Sequence, residues 1–190
     1  APFMPIIPRR RAAVFALALA LASLPLSAHA VDNIRPGLWE FRSTHLSMGG
    51  PPDMSAQLGP LQQQLKNLPA DARRMIEQQM AQRGVSLGQD GTVRSCITPE
   101  QARHDNIFSG KVEGNCTLSQ VVKTANTVSG RLSCTDPDAR GDFHASIESP
   151  ERFISRVDMK AARGNQEGET DARWVSADCG AAKAAAGPQK

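Results

Sequence analysis

Alternation of apolar and polar residues with a period of two dominates the second half of the chain. The clearest case is the stretch 152–160, in which Phe153 and Val157 share one parity while charged residues occupy the other. The stretches 142–148 and 169–174 repeat this pattern. Successive side chains of a strand point to opposite faces of a sheet. The pattern therefore predicts strands with one apolar and one polar face.

About seven strands are predicted in this way, and the joints between them carry turn-forming residues. Asp136-Pro137-Asp138 and Arg163-Gly164-Asn165 are two such joints. Short turns between consecutive strands favour an antiparallel meander. A sheet of this kind must protect its edges, so we expect it to curl into a barrel or half-barrel. The predicted fold class is mainly β.

One segment, residues 54–84, departs from this pattern and predicts a helical insertion between the first two strands. It is rich in Gln, Leu, Met and Ala, and Leu61, Leu65 and Leu68 recur at helical spacing. Gly84 fits a C-terminal cap. Its apolar stripe is expected to cover one end or edge of the sheet. The alternative is a movable lid or a partner-binding helix.

The N-terminal 30 residues have the layout of a secretory signal peptide. Three arginines at 9–11 precede an apolar run at 12–26, and Ala28-His29-Ala30 supplies small residues for cleavage after Ala30. The apolar run is too short for a comfortable membrane span. We therefore expect a periplasmic or secreted protein without stable membrane insertion after cleavage. The mature chain is predicted to be one domain, residues 31–180, followed by a disordered tail at 181–190.

Removing the signal peptide changes the charge balance. The whole chain has 22 Lys+Arg against 19 Asp+Glu, and three of the arginines but none of the acids lie in residues 1–30. The remaining 19 basic and 19 acidic residues cancel, so nothing indicates nucleic acid as a partner. The mature part has four phenylalanines, two tryptophans and no tyrosine. A core with so few aromatic residues would gain from covalent crosslinks.

The four cysteines predict two disulfides. If the chain folds back at Thr124-Ala125-Asn126, the register that sets Val122 opposite Val128 also sets Cys116 opposite Cys134. Directly opposed strand positions bring two cysteines within disulfide range. Cys96 and Cys179 are then left to pair. An even number of cysteines in an exported chain supports the same conclusion.

Metal, cofactor and redox sites find no support in these residues. No C-x-x-C motif is present, and His45, His104 and His144 have no metal-ligand spacing among themselves. Glu100 and His104 would lie one turn apart on a short helix, where a solvent-facing pair is the ordinary interpretation. We expect no bound metal and no cofactor.

The sequence also lacks the motifs of common enzyme classes. There is no G-x-S-x-G, no H-E-x-x-H and no phosphate-binding glycine loop. Three acidic residues alternate along the last strand and are expected to pair across strands with three basic ones: Glu167, Glu169 and Asp171 with Arg152, Arg156 and Lys160. The chain is predicted not to be an enzyme.

Several short motifs carry a family resemblance. They are "RPGLWEF" at 35–41, "CITPEQA" at 96–102, "GNC" at 114–116, "NTVSGRLSC" at 126–134 and "DCG" at 178–180. As a set they resemble domain-of-unknown-function family 3617, a group of secreted bacterial proteins. The resemblance implies a small exported β-rich domain, often with a Met- and Gln-rich insertion. It implies no activity and brings no catalytic residues.

The same motifs have local interpretations. Trp39 is expected to anchor the apolar face of the sheet, since large rings fill that role well. Thr98, Pro99 and Gln101 have the pattern of a helix start, with Thr98 as the cap and Gln101 closing a capping box.

Two functional hypotheses follow, both non-enzymatic. The first is a periplasmic binding module for a small apolar ligand, because a curled antiparallel sheet can enclose one such molecule. It predicts a cavity lined by inward aromatic residues, with Trp39, Phe41, Phe143, Phe153 and Trp174 as the candidates for ligand lining or core. The alternative is an envelope protein-protein interaction module that acts through the helical insertion. It predicts a filled interior and an exposed apolar stripe along Leu61–Met80.

Overall fold

A computed structural model describes residues 34–50, 52–103 and 115–182. The strands are, in chain order, β1 Gly37–Met48, β2 Val85–Leu87, β3 Val93–Ile97, β4 Cys116–Lys123, β5 Thr127–Cys134, β6 Ala139–Ser149, β7 Arg152–Ala161 and β8 Gly164–Ser176. The helices are α1 Leu58–Lys66, α2 Ala70–Gln82 and α3 Pro99–Ala102, with short 3-10 turns at Ser55–Gln57 and Gly180–Ala182. The predicted signal peptide, 1–30, and the tail from 183 onward lie outside the described residues.

All eight strands form one antiparallel sheet, which confirms the mainly β prediction. The strand order is β2-β3-β1-β8-β7-β6-β5-β4. Strands β4 to β8 are a meander of neighbours, joined by short turns as the sequence predicts. The first strand, β1, lies between β3 and the last strand, β8. The two ends of the described chain are therefore tied together by a strand pair in the middle of the sheet.

One detail of the prediction is wrong, and the strand count is close. There are eight strands where about seven are predicted, because β2, with three residues, is too short for its alternation to be recognised. The sheet is not closed into a barrel: β2 and β4 are its two edges. A strand as short as β2 offers few ladder hydrogen bonds for closure, and the other edge is interrupted by a bulge, a common way to protect an edge from pairing.

The hydrophobic core lies on one face of the sheet. Cross-strand register places Phe41, Ala172, Phe153 and Ile147 side by side from β1 to β6. The main buried cluster spans β1, β5, β6, β7 and β8 together with α3 and the segment before β1; its members are Ile34, Trp39, Ala102, Val128, Ala145, Ile147, Phe153 and Ala172. A second cluster covers the far end of the meander with Leu118, Leu132, Ala139 and Met159.

The predicted register of the β4–β5 strand pair is found at one end of the pair only. Cys116 lies opposite Cys134, as expected. Gln120 has a φ of 49°, and a bulge there shifts the register so that Val122 lies opposite Ser129 instead of Val128. The bulge moves Val122 to the polar face, where 61 % of it is exposed. Single-sequence parity cannot reveal a bulge of this kind.

Both predicted disulfides are formed. Cys116 joins Cys134 across the β4–β5 pair, and Cys96 at the end of β3 joins Cys179 just after β8. The described part of the chain has no cysteine outside these two bonds. Among the described residues, no helix has the length and apolar character needed to cross a membrane.

Candidate functional site

Helices α1 and α2, which we call the hairpin, connect β1 to β2 and lie beside the edge of the sheet. The sequence sets their ends. Pro69 is the residue before α2, Asp71 lies in its first turn, and Gly84 follows its C-terminal cap with a φ of 72°. Proline and an acidic residue favour a helix start, and glycine favours the left-handed residue that ends a helix.

The hairpin buries little of its apolar surface. Helix α2 has no buried residue, and Gln62 is the only buried residue of α1. Met75 is 61 % exposed and Leu61 is 50 % exposed. Other apolar positions of the stripe are only half-buried, namely Leu65, Leu68, Ala72, Ile76 and Met80. An amphipathic helix packed on a core normally covers its stripe, so this stripe is only partly covered by its own chain.

A buried amide fixes the hairpin to the loop between β2 and β3. Nε2 of Gln62 donates to the carbonyl oxygen of Gly88 at 2.8 Å, and its Oε1 accepts from the backbone N–H of Gly91 at 2.6 Å. A Cβ on Gly91 would lie 2.7 Å from the backbone nitrogen of Gly59, so the loop approaches α1 closely. Gln62 thereby satisfies two backbone groups while being buried itself.

A second attachment lies at the start of the hairpin, around Asp53. Its Oδ1 accepts from the backbone N–H of Leu46 at 3.0 Å and of Ser55 at 2.9 Å. These hydrogen bonds, that from Ser55 first, hold the pKa of Asp53 well below its ordinary value. The Nδ1 atom of His45 lies 3.2 Å from the Oδ2 atom of Asp53. The chain leading to α1 is thus held against β1 by an ionised carboxylate.

Opposite charges pair across strands on the polar face, as the sequence predicts for two of three pairs. Arg152 binds Asp171 with two hydrogen bonds of 3.1 Å, and Nε of Arg156 donates to Glu169 at 2.5 Å. The third pair differs, because Lys160 lies opposite Asn165 in the register. The acidic residues of β8 therefore belong to a solvated ion-pair face.

A groove of about 410 Å³ lies on this polar face, over β6, β7 and β8 and next to His45. Its lining residues are His45, Asp142, Phe143, His144, Arg156, Val157, Asp158, Glu167, Gly168 and Glu169. The size is that of a small-molecule pocket, and five of the ten lining residues are charged. Among the described residues, no group of three His, Cys, Asp or Glu side chains is arranged to hold a metal ion.

The five aromatic candidates lie together at the core, and four of them do not line that groove. Trp39 is 0 % exposed and Phe153 is 2 % exposed, with ring centroids 5.1 Å apart. Phe41, Phe143 and Trp174 are partly buried and pack against the same cluster. Only Phe143 also lines the groove.

The "RPGLWEF" motif forms a clasp between β1 and β8. The indole N–H of Trp39 donates to the carbonyl oxygen of Arg35 at 2.8 Å, and that of Trp174 donates to the carbonyl oxygen of Pro36 at 3.0 Å. The guanidinium of Arg35 lies over the Trp174 ring, 3.9 Å from its centroid, and pairs with Glu151. Each residue of the clasp contacts another part of the same fold.

Gly37 allows this clasp to close. Its φ is 132°, which side chains of L residues rarely adopt, and a Cβ there would lie 2.3 Å from the carbonyl oxygen of Ser176. The motif glycine is therefore needed for a close approach of two backbones.

The "CITPEQA" motif likewise has a structural role. Thr98 caps α3 and accepts a hydrogen bond from the backbone N–H of Gln101, whose side chain accepts from the backbone N–H of Thr98. This is the predicted capping box. The carbonyl oxygen of Ala102 then accepts from the backbone N–H of Ile34 at 3.2 Å. His104, the suggested partner of Glu100, lies outside the described residues.

Three residues that attach the hairpin to the sheet could not be identified from the sequence. Gln62 is one of many glutamines in its segment, and nothing marks it as the buried one. His45 and Asp53 meet because a bulge between Ser43 and His45 turns His45 toward β8 and the polar face. Their contact could be predicted only from a sequence pattern that revealed the bulge.

Comparisons with known proteins identify a family for this chain and add no activity. A family described as "Protein of unknown function (DUF3617)" matches residues 34–179. A protein of Pseudomonas putida described as "Uncharacterized protein in lpd-3 5'region" is 38 % identical over 148 residues, which are 77 % of this chain and 97 % of that protein. No solved structure matches the chain.

Proposed function

The chain belongs to the DUF3617 family, and we propose that it is an exported, non-enzymatic interaction module that binds an envelope protein through the hairpin. The observation that carries this proposal is the uncovered apolar surface of α1 and α2, with Met75 and Leu61 at least half exposed. Monomeric soluble proteins rarely expose large apolar patches, and such patches commonly mark a surface that binds a partner.

The charges of α2 support an apolar partner surface. Arg74 pairs with Asp71, and Arg73 lies 4.0 Å from Glu77, so these side chains form ion pairs within the helix itself. The surface of α2 that remains available to a partner is therefore the exposed apolar surface around Met75. An amphipathic helix of this type docks into an apolar groove through positions spaced by three and four residues.

Export is part of the proposal. Its support is the signal-like N-terminal 30 residues together with two disulfides. Disulfides persist in the periplasm and outside the cell, and they are rare in the reducing cytosol.

The carrier hypothesis has less support. A carrier of a small apolar molecule needs an apolar cavity, and the candidate lining residues Trp39 and Phe153 instead pack against each other. The groove on the polar face is open to solvent, and five of its ten lining residues are charged. A small apolar ligand would gain little burial there.

Native mass spectrometry of the protein released gently from the bacterial envelope tests the proposal. We expect a complex with a second protein that is lost in Met75→Lys and kept in Val122→Lys, since both positions are 61 % exposed and apolar. A small-molecule adduct on an otherwise monomeric chain would instead support the carrier. A complex that survives Met75→Lys unchanged would remove the hairpin from the proposal.

A further inference from the structure

His45 lies between two carboxylates that belong to different parts of the chain. Its Nδ1 atom is 3.2 Å from Oδ2 of Asp53, in the segment that leads to the hairpin. Its Nε2 atom is 3.6 Å from Oε2 of Glu167, on β8. The imidazole therefore bridges the start of the hairpin and the middle of the sheet.

The charge state of His45 decides whether both contacts attract. A neutral imidazole has one N–H donor, so its second nitrogen presents a lone pair to a carboxylate that can only accept. An imidazolium has a donor on each nitrogen and is attracted by both carboxylates. Histidine changes charge between pH 5 and 8, in the range that an exported protein meets.

Two carboxylates beside His45, those of Asp53 and Glu169, keep their charge over that range. Backbone N–H groups of Ser55 and Leu46 hold the pKa of Asp53 well below its ordinary value. Hydrogen bonds from Thr44 and then Arg156 lower the pKa of Glu169, which lies opposite His45. Asp53 and Glu169 therefore stay ionised between pH 5 and 8.

The other charged groups around His45 come from three strands. Glu167 and Glu169 belong to β8, and the same groove is lined by Arg156 and Asp158 of β7 and by Asp142 and His144 of β6. With both histidines neutral, the carboxylates of this set outnumber its single arginine. A protonated His45 therefore meets an excess of negative charge.

The contacts of His45 also lie at the point where the start of the hairpin packs against β1. The backbone N–H of Met54 donates to the carbonyl oxygen of Leu46 at 2.6 Å, so the residues beside Asp53 lie directly on β1. We infer that His45, Asp53 and Glu167 form a pH-sensitive clamp that holds the start of the hairpin more tightly when His45 is protonated than when it is neutral. As regulation of the partner surface, the clamp rests on the proposed function.

Amide hydrogen exchange of residues 52–66 tests the clamp in the mature protein, with exchange corrected for its intrinsic pH dependence. We expect about twofold to fivefold stronger protection at pH 5.5 than at pH 8, the size that an exposed ion pair gives. His45→Gln should abolish the difference, and His144→Gln, a histidine of the same groove, should keep it. Asp53→Asn, which keeps the Oδ1 acceptor for the two backbone N–H groups, should also abolish it.

A wild-type protein without this pH difference, or a His45→Gln variant that retains it, would overturn the inference. If His45→Gln does not fold, Asp53→Asn decides the question alone. The exchange is measured without a partner, so its outcome is separate from that of the complex. A failed clamp leaves the Met75-dependent complex intact, and a failed complex leaves the pH difference in place.

Discussion

Trp39 and Phe153 pack against each other across β8, with ring centroids 5.1 Å apart and almost no exposed surface. Phe41 adds an edge contact to the same Phe153 ring at 6.2 Å. Residues 31–190 contain four phenylalanines and two tryptophans, and the rings of Trp39, Phe41 and Phe153 are the centre of the core. They contact each other, whereas a carrier would need a cavity between such residues.

Truncating Phe153 should therefore be costly. Phe153→Ala is expected to lower the free energy of unfolding by about 3–5 kcal/mol, through lost burial and the cavity left behind. Urea unfolding followed by tryptophan fluorescence measures this. Val122→Ala, at an exposed position, should change the stability by less than about 0.5 kcal/mol. A small effect of Phe153→Ala would mean that the interior is loosely packed and can accept a ligand.

The glycine of the "RPGLWEF" motif provides a sharp test of the clasp. Gly37→Ala places a Cβ against the carbonyl oxygen of Ser176 and strains a φ of 132°. We expect a loss of about 1–3 kcal/mol or more in unfolding free energy. Gly168→Ala is the matched control, because a Cβ there meets nothing within 4 Å and its backbone is not left-handed. Equal effects of the two substitutions would contradict the clasp.

The two disulfides should contribute unequally. They close loops with sequence separations of 83 for Cys96–Cys179 and 18 for Cys116–Cys134. The chain-entropy relation gives about 4.5 and 3 kcal/mol for these loops. Replacing each pair by alanine and measuring urea unfolding tests the order. A larger loss from the Cys116–Cys134 pair would show that loop length does not govern these bonds.

Asp171 should make stability depend on acid. Burial raises its pKa, but hydrogen bonds from Arg152 and Arg173 outweigh this and hold the pKa below its ordinary value. A carboxylate with a lowered folded pKa contributes stability above about pH 4, its ordinary value, and loses it as the pH falls further. Asp171→Asn should therefore be less stable than wild type at pH 7, with the difference shrinking below pH 4.

Thermal unfolding at pH 7, 5, 4 and 3 measures this difference. Asp138→Asn, at an exposed turn position, is the control and should follow the wild type at each pH. A difference between Asp171→Asn and wild type that stays constant down to pH 3 would mean that the pairing with Arg152 and Arg173 does not lower the pKa.

How far the sequence predicts this fold depends on which residues carry the information. The strands with strict alternation, such as that of Phe153 and Val157, and the capping box of Thr98 were predictable because local chemistry defines them. The pairing of Cys116 with Cys134 was predictable because both lie on one side of the bulge. The register of Val122 was not, because a bulge at Gln120 interrupts the parity on which the prediction depends.

The open sheet and the candidate site were less accessible. Whether β2 meets β4 depends on long-range geometry that no local pattern contains. The attachment of the hairpin rests on single residues, Gln62 and the His45–Asp53 pair, whose roles arise only from their spatial neighbours. The exposed stripe was predictable as apolar, but its exposure depends on how much of the sheet the hairpin covers.

The central claim is that the hairpin is the partner surface, and site-specific photo-crosslinking in intact cells tests it most directly. A photoreactive residue is placed at Met75 and, for comparison, at Val122, which is equally exposed on the opposite part of the sheet. We expect one discrete protein adduct from position 75 that is absent from position 122 and is lost when Leu61→Lys is added. No adduct from position 75, or the same adduct from both positions, would contradict the claim.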